Sequence, residues 1–165
     1  MNEDLYIKRD RMRFTKNSLS STLVILAILF DVFYFVNIYE SDVGHNVGNF
    51  YYQIRIGASI VYNLVFMLAA FLASEGVKNY KREYCYVLIV IGILQIVRIF
   101  ILPAQAAATE VTIGGVTNKV MEASQHIRVV IYLLLSAAGC LAGGVIGFIR
   151  CRELETHMAE LEKKA

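Results

Sequence analysis

The sequence predicts an all-α polytopic membrane protein: four transmembrane helices in an antiparallel bundle, both termini cytoplasmic, helix 4 extending into the cytoplasm. Three observations carry that expectation. Four apolar runs are each long enough to cross a hydrocarbon core, which takes about 20 helical residues. Charged residues collect between those runs and form 18% of the 165 residues, while 57% are apolar; a soluble domain carries about 25% charge. Lys and Arg are rich in one set of connections and sparse in the other, the asymmetry that orients membrane proteins.

Residues 1–17 form a basic cytoplasmic lead, with Lys8, Arg9, Arg11, Arg13 and Lys16 before the first span. Such a cluster holds its end of the helix inside and offers a partner to anionic lipid head groups. The first span, 18–39, is too long for a signal-peptide core, and Glu40-Ser41-Asp42-Val43-Gly44-His45 after it contains no small-x-small cleavage pattern. It is read as a retained helix.

The second span is 54–77 and the third 84–102, joined by a connection carrying Lys78, Lys81 and Arg82. Six residues permit only an antiparallel helical hairpin. The fourth span is 127–149, which completes a membrane domain at 18–150. None of the four runs alternates with the two-residue period of a barrel strand.

The two remaining connections carry only Arg55, Lys119 and Arg128, and so are expected outside. Within the longer one, 103–126, the stretch Glu110 to Asn118 reads as a hairpin around Gly114-Gly115, with Lys119 to His126 leading helically into span four. A lone hairpin is marginal in water, so it must rest on the bundle or on a partner. Tyr34, Tyr39, Phe50, Tyr51 and Tyr52 mark the outer interface, and Tyr80, Tyr84 and Tyr86 the inner.

Cys85, Cys140 and Cys151 lie within spans or at the inner edge, so no structural disulfide is expected. The outer connections lack an Asn-x-Ser/Thr site, which suits a bacterial plasma membrane. The basic residues flank apolar segments instead of forming a basic face, which argues against nucleic acid as a partner.

Polar residues within the spans carry the functional question. Asp31 and Arg98 are formal charges inside apolar runs, each costing roughly 2.5–3.5 kcal/mol at the centre of a span. At about 1.5 Å rise per residue, Asp31, Asn63, Gln95, Arg98 and Ser136 fall roughly 6–13 Å from the same membrane face. Gln95 and Arg98, three apart, share a helix face. One polar group or more per helix at matched depth reads as a layer facing the bundle axis. It serves either as a network fixing helix register, or as a site for protons, ions or a small polar solute with Asp31 titrating. Arg98 has the separate option of snorkelling to the outer interface.

Span four carries Gly139, Gly143 and Gly147 at four-residue spacing, with Gly144 beside them. Small residues so spaced let helix backbones approach closely, inside the bundle or between subunits. Beyond the membrane, Cys151, Leu154, Met158 and Leu161 continue a seam at heptad spacing through the tail 151–165. The seam suits a protruding contact with another helix, or an amphipathic tail on the membrane surface.

No catalytic or cofactor set is expected. Gly114-Gly115 lacks the Lys-Ser/Thr of a phosphate loop. His45, His126 and His157, with Glu40, Asp42 and Glu122, show no dense metal-ligand spacing. Spans one and two do not recur as three and four, which weakens an inverted-repeat transporter within one chain. The leading expectation is a non-catalytic subunit or accessory component of a membrane assembly, a homo- or hetero-oligomer associating through span four and its tail. The alternatives are a small oligomeric transporter or channel built on Asp31 and Arg98, and a membrane-embedded enzyme acting on a lipid or quinone.

Overall fold

The computed structural model describes residues 16–39, 50–113 and 116–164. Most of the basic lead, the Glu40–Asp42–His45 stretch and the Gly114-Gly115 turn lie outside the described residues. The elements are helices α1 (Ser18–Tyr39), α2 (Phe50–Lys78), α3 (Arg82–Ile99) and α4 (Leu102–Ala108), strands β1 (Glu110–Ile113) and β2 (Val116–Lys119), and helix α5 (Ala123–Lys164). Four helical segments are long and apolar enough to cross a membrane: α1, α2 from Gln53, α3 with α4, and α5 to Leu161.

Their surfaces are sorted as lipid demands. On α2, Val61, Leu64, Val65 and Leu68 are all about 60% exposed, whereas Asn63, Ala70 and Ala73 are fully buried. On α1 the exposed positions include Leu19, Ile25, Leu26 and Leu29, and the buried ones include Ser20, Ser21, Ala27 and Asp31. Large aliphatics outside and small or polar groups inside reverse the pattern of a water-soluble helix. That sorting suits a hydrocarbon solvent.

Helix α1 starts where Asn17 Oδ1 accepts from the Ser20 amide at 3.4 Å, an N-cap that occupies one orphan donor. The Asn17 amide in turn donates to the Lys78 carbonyl at 3.0 Å, tying the start of α1 to the end of α2. Helix α2 closes in a Schellman motif: the Lys81 amide donates to the Gly76 carbonyl and the Tyr80 amide to the Val77 carbonyl. Tyr80 takes the left-handed position at φ 57°, where glycine is usual. Its ring packs on the core, and burial pushes its hydroxyl pKa up.

Helix α5 packs along α1 and α3, and α2 contacts the same two helices, with less contact between α2 and α5. Gly139 and Gly143 of α5 meet Ala27 and Ser20 of α1, and Gly92 and Cys85 of α3 meet Ala137 and Gly144.

Three boundaries differ from those read in the sequence. Helix α3 ends at Ile99, not Leu102, in two tight turns in which the Phe100 and Ile101 amides reach back three residues. The chain then restarts as α4, with Pro103 in its first turn, inside a stretch expected to be loop. Proline cannot continue the preceding helix but is pre-organised for the start of a new one. Helix α2 begins at Phe50, four residues before the expected span, and α5 runs unbroken for 42 residues. At about 1.5 Å per residue α5 is roughly 63 Å long, about twice the hydrocarbon thickness.

Strands β1 and β2 pair antiparallel from Glu110↔Lys119 to Ile113↔Val116. The hairpin is anchored by the residues that follow it: the Val120 amide donates to the Thr109 carbonyl, and Val120 and Met121 are buried against Leu102 and Ala106 of α4.

Candidate functional site

Two apolar clusters fill the interior. One gathers Val24, Ala27, Phe66, Ala73, Val77, Cys85, Leu88 and Cys140 toward the α2–α3 turn. The other gathers Tyr34, Ile38, Leu102, Met121, Val129 and Leu133 toward the hairpin. Between them, along every long helix, lies a polar level. Asp31 separates Ala27 from Tyr34, Gln95 separates Leu88 from Leu102, and Ser136 separates Leu133 from Cys140.

Arg98 is the hub. Its Nη1 donates to Asp31 Oδ1 at 3.1 Å and lies 3.4 Å from Gln95 Oε1, while Nη2 reaches Ser59 Oγ at 3.5 Å. Gln95 Nε2 donates to Asp31 Oδ1 at 2.9 Å and to Ser136 Oγ at 3.2 Å. The guanidinium carbon sits 4.3 Å from the ring centre of Tyr34 and 4.8 Å from that of Tyr62. Desolvated cation–π contacts of this kind contribute about 2 kcal/mol. Arg98 is 5% exposed, so it turns into the protein and does not take the snorkelling option.

Four of the five polar positions, Asp31, Gln95, Arg98 and Ser136, are therefore joined through hydrogen bonds. Asn63 is not joined. It is fully buried, yet among the described residues neither its Oδ1 nor its Nδ2 has a partner, and Asp31 Oδ2 is likewise unpaired. Each unpaired buried group costs about 1–3 kcal/mol.

Tyr34, Tyr62 and Ser59 complete the layer and were missed in the sequence. Tyr34 was expected in the outer aromatic belt, but it is fully buried beneath Arg98. The signal was present in spacing: Tyr34 follows Asp31 by three and Asn63 follows Ser59 by four, both same-face intervals.

A second polar level near the α2–α3 turn was also missed. Ser20 Oγ donates to the Gly143 carbonyl, and the Ser21 and Ser74 hydroxyls lie 2.8 Å apart. Both levels join α1 to its neighbours through buried groups.

Comparison with known protein families, curated proteins and solved structures found no match. The reading of the site therefore rests on its chemistry alone.

The glycine ridge is consumed within the chain. A Cβ at Gly139 would lie 2.9 Å from Ala27 Cβ, one at Gly143 2.8 Å from Val24 Cγ2, and one at Gly147 2.7 Å from Val77 Cγ1. Gly144 meets Ile89 and Cys85 of α3 in the same way. These residues let α5 approach three helices of its own chain, so the ridge lends no support to contact between subunits.

The tail seam behaves differently along its length. Cys151 is buried and Leu154 partly buried, while Met158 is 52% and Leu161 42% exposed. Arg82, over the Phe148 ring at 4.7 Å and 3.9 Å from Glu155, holds the root of the tail to the start of α3. Exposed contacts of that kind contribute little.

Glu122 and His126 lie at the start of α5, where the His126 amide donates to the Glu122 carbonyl.

Proposed function

We propose that the chain is a four-span component of a bacterial plasma-membrane assembly, an antiparallel bundle with both termini and the α2–α3 turn in the cytoplasm. Lys16, Lys78, Lys81, Arg82, Arg150 and Arg152 gather at that end, against Arg55, Lys119 and Arg128 at the other, and cationic loops stay inside. The basic lead faces anionic lipid on the same side.

The observation that carries the association is the end of α5. Its membrane portion is spent on α1 and α3, but the seam continues into Met158 and Leu161, half exposed on a helix that outruns the other spans. Apolar residues at this spacing pair with another helix, from a second copy or from a different subunit. In this reading the Asp31–Arg98 layer is a clamp that sets helix register.

Native mass spectrometry in mild detergent, with cross-linking in membranes beforehand, tests the proposal. The unaltered protein is expected as a dimer or with a co-purifying partner, and the Met158→Glu/Leu161→Glu variant as a monomer. A bare monomer for both proteins would overturn it.

A second reading is favoured by one specific observation. Asp31 Oδ2 and the Asn63 amide, in one buried layer, lack protein partners, which suits a small oligomeric transporter or channel for protons, ions or a polar solute. Flux through proteoliposomes that falls in Asp31→Asn would support it; equal or absent flux in both proteins would remove it.

A further inference from the structure

Antiparallel contacts fix where Asn63 sits. Asn17 meets Lys78 and Ser21 meets Ser74, so α1 and α2 climb past one another in a known register. Carried along both helices at equal rise, that register sets Asn63 level with Asp31 and Val32. The contact between Arg98 and Ser59 brings α3 to the same height and sets Asn63 near Leu94 and Gln95. Asn63 is therefore part of the polar level, buried completely, on the helix that neighbours both α1 and α3.

Gln95 uses its amide on Asp31 and Ser136 and its carbonyl on Arg98, and Arg98 spends Nη1 on Asp31 and Gln95 and Nη2 on Ser59. Among the described residues, four buried atoms of the level are left without a partner: Asp31 Oδ2, Asn63 Oδ1, Asn63 Nδ2 and the Tyr34 hydroxyl. Of the carboxylate and amide atoms, two accept and one donates.

Charge narrows what fits them. Asp31 and Arg98 neutralise each other at 3.1 Å, so an added cation meets the guanidinium and an added anion meets the carboxylate. A neutral guest that donates twice and accepts once matches the carboxylate oxygen and the two amide atoms. Water does this, and buried waters make about three hydrogen bonds to groups otherwise left unpaired.

We propose that Asp31 Oδ2 and the Asn63 amide form a binding site for water within the membrane-spanning part of the protein. The site stands whether or not the protein transports anything. It gives the buried carboxylate of α1 a partner with exchangeable protons.

Radiolytic footprinting of the protein in lipid nanodiscs tests this, because radicals born on bound water oxidise neighbours that bulk water cannot reach. Tyr34 is fully buried and lies under Arg98, so it is the reporter; Met121, 1% exposed beside Leu102 and Ala106 and away from the polar level, is the reference. After correction for intrinsic reactivity, Tyr34 is expected to oxidise several-fold faster than Met121. Asn63→Leu is expected to remove that excess while leaving oxidation of the half-buried Tyr84 unchanged. Equal rates for Tyr34 and Met121 in the unaltered protein overturn the proposal, as does an excess that persists in a correctly folded Asn63→Leu. The first comparison decides by itself if the variant fails to fold.

Discussion

Arg98 Nη1 lies 3.1 Å from Asp31 Oδ1, joining α3 to α1 with only 6% of the arginine side chain and none of the aspartate exposed. An ion pair so buried gains Coulomb energy but sacrifices hydration, and the two nearly cancel. The contact ties α1 to α3 in the observed register, which is what the proposed clamp requires.

That balance predicts an asymmetric mutant cycle. Asp31→Leu or Arg98→Met alone leaves one charge buried and unpaired, at a cost of about 3–5 kcal/mol. The double replacement removes both charges and is expected to be clearly more stable than either single variant. Unfolding by SDS titration in mixed micelles measures all four corners, and additive losses would show that the pair is not coupled.

Lysine cannot stand in for Arg98. The guanidinium carbon lies over both the Tyr34 and Tyr62 rings while the group donates to Asp31 and Ser59 from two nitrogens. An ammonium keeps the charge but loses the second arm and the broad contact with the rings. Arg98→Lys is expected to cost about 1–2 kcal/mol, on the scale of a desolvated cation–π contact. A thermal-unfolding curve unchanged from the parent would count against that role for the two-armed group.

Two glycines are expected to respond with opposite signs. Gly139→Ala would put a methyl 2.9 Å from Ala27 Cβ and 3.0 Å from the Leu23 carbonyl, neither of which can rotate away. Overpacking of this kind costs about 1–3 kcal/mol. Gly57, exposed in mid-helix with open space around it, loses only backbone freedom on substitution. Gly57→Ala is expected to gain about 0.5–1 kcal/mol. The paired measurement separates a packing role from a general response to alanine.

The spans were legible because hydrophobic length and the rise of a helix are properties of the chain alone. Depth was legible for the same reason, and it gathers Asp31, Asn63, Gln95 and Ser136 at one level. Azimuth is a different quantity, set by which helix packs on which face. It decides that Tyr34 turns inward beneath Arg98 and that Asn63 joins no hydrogen bond. The same is true of the glycines: spacing announces a close approach, but only packing shows that Gly139 and Gly143 meet α1 and Gly144 meets α3. The break before α4 was misread because Pro103 both ends one helix and begins the next, and hydropathy does not distinguish the two.

Orientation gives the last prediction. Lys81 and Lys119 are both exposed, one beside the α2–α3 turn and one at the end of β2, on opposite sides of the membrane-spanning helices. The native thiols Cys85, Cys140 and Cys151 are all buried, and replacing them with serine or alanine leaves a clean background for labelling. A membrane-impermeant maleimide added to intact cells is expected to label Lys119→Cys fully. Lys81→Cys should stay unlabelled until the membrane is opened. The physical reason is that Lys78, Lys81 and Arg82 resist transfer across the bilayer, and only Arg55, Lys119 and Arg128 accompany the other end. Labelling in the reverse order would turn the molecule over and place the projecting end of α5 outside the cell, and with it any partner that binds there.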